Sequence, residues 1–244
     1  SYKPSGGGYS YYWWRQRSFA YGGQYFDAEM KPLVNTPAGI RALEEMVRTM
    51  PNYPPGVMLF ESEEPKTMLI KGDVPMLYSW TSTGKRVGNA AESVIVGKAG
   101  FGIVPGAEID GKIVHRPALT PGRGMAVSIY SQKKEATMKV LEFISNPEQS
   151  LKIVMDPKTI MDPWRISHFR SQKFQQAFPG ANEYLAAIEK TFPHVVPDPI
   201  IPGANDYQRK LSFEITEALA KRKQPKEALD AAPAEWHKIT RRRG

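Results

Sequence analysis

Residues 122–149 read GRGMAVSIYSQKKEATMKVLEFISNPEQ, and this stretch decides the fold prediction. Within it, MAVSIY at 125–130 is an apolar run of strand length between Gly124 and Ser131. A helix is predicted next, because apolar residues recur at positions expected to point inward: Met138, Leu141, Phe143 and Ile144. Residues 146–148, Asn-Pro-Glu, open a second helix, since asparagine is a good N-cap and proline suits the first helical position. A strand followed by helices is typical of an α/β fold.

Short apolar runs and amphipathic helices alternate along the rest of the chain. Two further strands are predicted, VPMLYSW at residues 74–80 and GFGIVP at residues 100–105. Further helices are predicted by caps, prolines and apolar spacing at 37–50, at 62–70, at 181–191, around Tyr207–Leu219 and from Pro225 toward Trp236. Pro233 is expected to interrupt or kink the last of these helices.

The composition describes a folded chain without disulfide bonds. Of its 244 residues, 41% are hydrophobic and none is cysteine, which excludes a disordered tail and a disulfide scaffold. The length suits one large domain or two small ones, and no apolar run approaches the ~20 residues that cross a bilayer. The net charge of +8 comes from basic residues spread along the chain, with dense runs only at 221–223 and 241–243. These runs are interpreted as solvated, because nucleic-acid binding usually needs a basic stripe with a reading element.

The chain offers little catalytic chemistry. It contains no thiol, no Walker loop, no HExxH motif and no GxSxG motif. Its four histidines stand more than 20 residues apart, so none forms a local metal-ligand spacing. Adjacent carboxylates such as Glu44 and Glu45 lie on a predicted helix surface rather than across a cleft. We therefore predict a protein that is not an enzyme and that uses no metal and no cofactor.

Aromatic residues are concentrated near the start of the chain. Residues 11–15 read Tyr-Tyr-Trp-Trp-Arg in a predicted helix, and one helix face cannot bury them all. Some of these rings are expected to face a cleft, another domain or a ligand, while burial in the core stays open as the alternative. Flat rings stack on the C–H faces of sugars and arginine donates paired hydrogen bonds, so this mixture suits a sugar pocket. Trp80, at the end of a predicted strand, has the same character, because strand ends line the ligand crevice of an open α/β sheet.

Six segments, taken in order, resemble one protein family. They are SFAYGGQYFD, KPLVNTPAGIRALEEM, KGDVPMLYSW, GFGIVPG, the stretch 122–149 and MDPWRISHF. Together they resemble the second half of the extracellular solute-binding proteins of carbohydrate ABC importers, over essentially all 244 residues. The specific parts are the glycine pair before the capped helix, the strand that ends in Trp80 and the glycine-rich strand that leads into a helix.

The resemblance implies an α/β fold with a periplasmic-binding-protein-like two-lobe architecture, of which this chain would hold mainly the second lobe plus a segment of the first. Residues 1–104 would be the first part of the second (C-terminal) lobe, residues 105–165 would return to the first lobe, and residues 166–244 would be the helical remainder of the second lobe. Family members are longer, so most of the first lobe and a signal peptide are expected in a missing N-terminal part. The protein would then be periplasmic or extracellular, and its partners would include that missing part or a second copy.

The resemblance also implies ligand-binding residues. Trp80 matches the family's stacking aromatic on the second lobe. The aromatic segment before the glycine pair matches at Tyr12, Trp13, Trp14 and Arg15. Softer matches, expected at the cleft, near the hinge or at the start of a late helix, are Gly122, Arg123, Gly124, Arg165, Asn205 and Tyr207. Hinge structure or helix capping is the alternative for the softer matches.

The function implied by the resemblance is recognition without catalysis. The protein would capture a sugar, oligosaccharide or polyol between two lobes and deliver it to the permease subunits of an ABC importer in the membrane. The alternative is a carbohydrate-processing enzyme with an aromatic cleft, which needs two carboxylates facing one another across the site. A basic nucleic-acid-binding module is a third hypothesis, and it predicts an affinity that falls steeply with salt.

Overall fold

The structure is a computed structural model that describes residues 9–119 and 124–243, which are mostly helical. Its helices are α1 (Tyr9–Ala20), α2 (Pro37–Thr49), α3 (Glu63–Ile70), α4 (Thr83–Val87), α5 (Lys134–Ser145), α6 (Pro147–Met155), α7 (Ile166–Phe169), α8 (Gln172–Gln175), α9 (Ala181–Thr191), α10 (Ala204–Leu219) and α11 (Pro225–Arg243). Short 3₁₀ turns lie at Met50–Asn52, Val57–Leu59 and Phe192–His194. Within the two described ranges, no helix combines the length and the apolar composition of a membrane span.

The chain forms two compact units, each assembled from separate stretches of sequence. Unit 1 comprises Ser1–Pro65, Val104–Thr120 and His194–Gly244, and unit 2 comprises Lys66–Ile103 and Pro121–Pro193. This division differs from the expected one, since residues 66–103 and 166–193 belong with residues 121–165 rather than with the start of the chain. The units reflect contacts made within this chain, so the assignment of residues to the lobes of a longer protein stays a prediction.

The strands found among the described residues are short and belong to unit 1. β1 (Ala107–Ile109) and β2 (Lys112–Val114) form an antiparallel hairpin, and β3 (Ala118–Leu119) pairs in parallel with β4 (Val196–Pro197). The hairpin turns at Asp110 and Gly111, whose φ angles are 52° and 73°. A two-residue turn with positive φ at both positions matches the twist of the flanking strands, which is why glycine stands at the second position.

The three strands predicted from sequence are wrong. Residues 74–80, 100–105 and 125–130 form turns or irregular chain. An apolar run of strand length indicates that a segment can be extended, but a strand also needs a neighbour for its N–H and C=O groups. Over residues 9–119 and 124–243, none of these segments joins a β-ladder.

The predicted helices are confirmed, because their signals are local. α2 begins at Pro37 as predicted and ends one residue early. α6 begins after Asn146, whose side chain accepts a hydrogen bond from the Gln149 amide at 2.9 Å. α11 continues through Pro233 to Arg243, so this proline does not end the helix.

Unit 1 packs α1, α2, α10 and α11 around one core. Its largest buried side chains include Trp14, Trp236, Tyr11 and Phe19, each at most 2% exposed. Trp14 Nε1 donates to the Gly39 carbonyl at 2.9 Å, and Trp236 Nε1 donates to the Tyr207 carbonyl at 3.1 Å. Because both buried indoles have acceptors on a neighbouring helix, they join α1 to α2 and α11 to α10.

Unit 2 has a core of its own, supplied mainly by α6 to α9. Its buried members are Val154, Phe169, Phe174, Tyr184, Leu185 and Ile188. The prediction that the apolar residues of α5 point inward is wrong for this chain, since every residue of that helix is partly or fully exposed. Met138 is 47% exposed and Phe143 is 59% exposed. The helix forms from local signals, whereas burial of its apolar residues needs a covering element that the described residues do not provide.

Candidate functional site

Trp80 lies in unit 2, in an irregular segment that leads into α4. Its side chain is half-buried, and Lys66, which is 7% exposed, holds its Nζ 5.8 Å from the centroid of the indole ring. The Trp80 carbonyl accepts a hydrogen bond from the Thr83 N–H at 3.1 Å, and Ser79 Oγ lies 2.9 Å from Thr83 Oγ1. The ring is thus held in place with part of its surface exposed, as a stacking contact requires.

Lys85 anchors α4 from the interior of unit 2. Its side chain is 1% exposed, and its ammonium group donates to the Asp156 carbonyl (3.1 Å), the Thr159 hydroxyl (3.0 Å) and the Met161 carbonyl (2.8 Å). Burial lowers the pKa of Lys85 from 10.5 to about 8, against the opposing effect of two nearby aspartates. Nothing in the sequence marks Lys85 as buried, because a single lysine in a short helix carries no signal of burial.

The aromatic residues of α1 divide between the surface and the core of unit 1. Tyr12 and Trp13 are half-buried and pack at the edge of the core. Trp14 is 1% exposed, and its indole N–H donates to the Gly39 carbonyl. Of the two hypotheses for this segment, ligand contact and burial in the core, burial therefore applies to Trp14. Successive helical residues are rotated by about 100°, which is why neighbours in this segment reach different surroundings.

Arg15 is also buried, at 2% exposed, and it forms an ion pair with the buried Asp198. Its guanidinium group lies over the Tyr12 ring, 4.7 Å from the centroid. Tyr25 and Tyr11 donate to the other oxygen of Asp198, at 2.7 Å and 3.1 Å. Burial, reinforced by the charge of Asp198, raises the pKa of both tyrosines. The guanidinium of Arg15 therefore binds a carboxylate of the protein itself, which differs from the expected hydrogen bonds to a ligand.

The other predicted residues of unit 1 are Asn205 and Tyr207. Tyr207 is 2% exposed, and its hydroxyl lies 2.8 Å from Thr240 Oγ1. It packs against Trp236 in an edge-to-face arrangement with the ring centroids 5.1 Å apart. Asn205 is exposed near the start of α10. Tyr207 is thus a core residue of unit 1, whereas the Asn205 side chain is exposed to solvent.

In unit 2 the predicted residues besides Trp80 are Arg165 and a glycine-rich segment. Arg165 is half-buried, and its Nη2 donates to the Ser145 carbonyl at 2.5 Å. It thereby links the end of α5 to the start of α7, which favours the structural alternative for this residue. Gly124 is exposed, while Gly122 and Arg123 lie outside the described residues.

Three half-buried aromatic side chains remain as candidate ligand contacts: Tyr12 and Trp13 in unit 1 and Trp80 in unit 2. Across the described residues, no group of three or more histidine, aspartate or glutamate side chains could hold a metal ion. The basic run 221–223 is partly neutralised, since Arg222 pairs with Glu217 and Lys223 pairs with Glu214. The geometry thus provides aromatic surface and ordinary surface charge.

Comparisons with known proteins agree on one family. The family described as "Bacterial extracellular solute-binding protein" matches residues 1–150. A curated relative from Sinorhizobium fredii, named a probable amino-acid ABC transporter periplasmic-binding protein, is 24% identical over 224 residues, which is 91% of this chain and 48% of that protein. The chain therefore spans about half the length of this relative.

Two solved structures resemble the chain along almost its whole length. An ABC transporter solute-binding protein from Agrobacterium radiobacter, in complex with ribitol, has a TM-score of 0.83 and 22% identity, and the match covers 97% of this chain and 58% of that one. A solute-binding protein from Agrobacterium vitis with bound D-mannitol has a TM-score of 0.74 and 21% identity, covering 95% and 58%. These likenesses show a periplasmic-binding-protein-like α/β fold, present here as part of the complete architecture.

Proposed function

This chain belongs to the bacterial extracellular solute-binding protein family, and on that premise we propose that it serves as the substrate-binding component of an ABC importer. It captures a sugar, oligosaccharide or polyol without catalysis and delivers it to the permease subunits in the membrane. The family match over residues 1–150 is the observation that carries this proposal. A periplasmic or extracellular location, reached through a secretion signal ahead of residue 1, is part of the proposal.

A polyol or sugar is the ligand class that the candidate contacts favour. The similar solute-binding proteins described above were solved with ribitol and with D-mannitol. Tyr12, Trp13 and Trp80 each present a half-buried ring, and aromatic faces pack well against the C–H groups of such ligands. Arg15, which could have bound an acidic ligand, is already paired with Asp198. This arrangement favours a neutral ligand.

An amino acid is the second candidate ligand, since the curated relative is named as an amino-acid transporter component. An amino acid carries a carboxylate and an ammonium group, and both need charged or strongly polar partners. Calorimetric titration with ribitol, D-mannitol and a panel of amino acids separates the two ligand classes. Incubation with glycans tests the enzyme alternative, and release of any product would contradict a function limited to binding.

We predict that Trp80→Ala weakens polyol binding by about 1 to 3 kcal/mol, as loss of other aromatic stacking contacts does. The expected effect arises because the variant loses the flat surface held beside Lys66. Trp164→Ala is the matched control, since Trp164 is a tryptophan of unit 2 that is 43% exposed. If calorimetry gives the wild-type affinity for Trp80→Ala, Trp80 is not a ligand contact.

The exposed apolar residues of α5 suggest a partner. Met138, Val140 and Phe143 are 47%, 54% and 59% exposed. Val140 and Phe143, three residues apart, lie on one face of the helix, and exposed apolar side chains grouped in this way mark an interaction site. We propose that either the remaining part of a longer protein or a second copy of this chain covers them. The relatives' greater length supports the first of these partners.

A further inference from the structure

Two of the four places where the chain passes between its two units lie next to a pair of strands. β3 ends at Leu119, just before the passage into unit 2 at residue 121, and β4 begins at Val196, just after the return to unit 1 at residue 194. The two strands pair in parallel, and the Val196 N–H donates to the Pro117 carbonyl at 2.8 Å. The strand that precedes one connection and the strand that follows another are thus hydrogen-bonded to each other within unit 1.

Gln16 of α1 completes the other edge of β3. Its side-chain carbonyl accepts from the Ala118 N–H at 2.6 Å, and its amide donates to the Arg116 carbonyl at 3.5 Å. In a parallel β-ladder, one residue donates its N–H to the C=O before, and accepts through its C=O from the N–H after, the same residue of the neighbouring strand. The Gln16 amide makes this pair of contacts on either side of Pro117, and it is 7% exposed. A buried side chain therefore takes the place of a neighbouring strand.

Arg15, the preceding residue, holds the segment that follows β4. Its ion pair is with Asp198, which comes directly after Pro197 at the end of β4. Asp198 is 3% exposed and also accepts from Tyr25 and Tyr11. A buried carboxylate with this many partners has a defined position, because each of its hydrogen bonds would be costly to lose.

We propose that Arg15 and Gln16 form a clamp that fixes β3 and the end of β4, next to two of the connections between the units, to α1, and that both are positioning residues for ligand binding. α1 also carries Tyr12 and Trp13, so the clamp sets where these rings lie relative to β3 and β4. The inference rests on the proposed function, because it assigns the clamp to the same binding site. Neither clamp residue reaches a ligand itself, since both are buried.

Amide hydrogen exchange of the ligand-free chain tests the clamp directly. We expect Gln16→Met, which keeps the size and removes both hydrogen bonds, to speed exchange at Ala118 and Val196 about fivefold to tenfold. The amides of Leu211 and Ile215, in the buried part of α10, should keep their protection. The matched control is Gln175→Met, which removes a side-chain bond to the Phe169 carbonyl in unit 2 and should leave both strand amides unchanged.

A test of Arg15 in the clamp requires a variant that leaves no unpaired charge in the interior. Arg15→Met combined with Asp198→Asn removes both charges, because either substitution alone would strand the other ion in the interior. We expect faster exchange at Val196 in this double variant as well. Unchanged exchange at Ala118 and Val196, or an equal increase across α10, would overturn the clamp.

Titration with ribitol and with D-mannitol tests the positioning role. We expect Gln16→Met to weaken binding about threefold or more while the protein stays folded, because ordering α1 on binding then carries an added cost. The Gln175→Met control should bind as the wild type does. Local exchange changes with unaltered affinity would overturn the positioning role. Failure of the wild type to bind any polyol would contradict the proposed function, and the exchange pattern would still decide whether the clamp exists.

Discussion

At the scale of single residues, Lys85 carries a positive charge into the interior of unit 2. Its ammonium group has three oxygen partners between Asp156 and Met161, yet burial lowers its pKa to about 8. The folded protein therefore releases this proton at a lower pH than the unfolded chain does. Between about pH 8 and the ordinary pKa of 10.5, the unfolded chain holds a proton that the folded protein has lost.

We predict that Lys85 makes the free energy of unfolding rise with pH above about 8, with a slope of at most about 1.4 kcal/mol per pH unit for one proton. The rise should be absent in Lys85→Met. Lys98→Met, at an exposed position of the same unit, should retain it. Urea unfolding from about pH 8 to about pH 9.5 measures the slope, and equal slopes in wild type and Lys85→Met would contradict the assignment.

At the scale of elements, α5 separates helix formation from burial. Its residues form a regular helix from Lys134 to Ser145, although Met138 and Phe143 remain about half exposed. α9, in the same unit, buries Tyr184, Leu185 and Ile188. Exposed apolar side chains contribute little to the stability of the unit that carries them, because they lose little contact with water on folding.

We predict that Met138→Glu and Phe143→Glu change the free energy of unfolding by no more than about 0.5 kcal/mol each. Leu185→Ala, at a position 2% exposed, should cost about 2 to 5 kcal/mol. Sizing over a range of concentrations gives the second measurement, since a charge on the exposed surface of α5 should reduce any self-association through that helix. A large loss of stability in the glutamate variants would mean that α5 is covered within the chain.

At the scale of the whole molecule, the described residues form two hydrophobic cores. The core of unit 1 includes Leu211 and Trp236, and that of unit 2 includes Phe174 and Tyr184. Each core lies within one compact unit. Chains with separate cores often depart from two-state unfolding, because each core can melt with its own cooperativity.

We predict that Leu211→Ala and Phe174→Ala act on different thermal transitions. Each removes a side chain that is fully buried in one core, so each should lower the midpoint of its own unit by several degrees. Scanning calorimetry, with fluorescence of the tryptophans as a second probe, measures both transitions. A single transition that shifts equally in the two variants would show that the chain unfolds as one unit.

Sequence alone determined the features whose causes act within a few residues. Asn146 and Pro147 predicted the start of α6, because a cap and a proline act on the adjoining turn. Pro37 likewise predicted the start of α2, where the Thr36 side chain forms no cap hydrogen bond. The aromatic segment and Trp80 were predicted from the sequence to contact ligand. Tyr12, Trp13 and Trp80 are half-buried in the structure, and their ligand contacts stay predictions. The resemblance to the family also came from sequence alone, from the order of the six segments quoted above.

Only the tertiary structure decided which of these residues are interior and which strands form. Trp13 and Trp14 are adjacent, yet one lies at the edge of the core and the other donates to Gly39 inside it. Arg15 meets Asp198 from the far end of the chain, and no local pattern encodes that meeting. The apolar runs at 74–80 and 125–130 had the composition of strands but no ladder partner among the described residues. Helices satisfy their own backbone, whereas strands and buried charges depend on partners brought by folding.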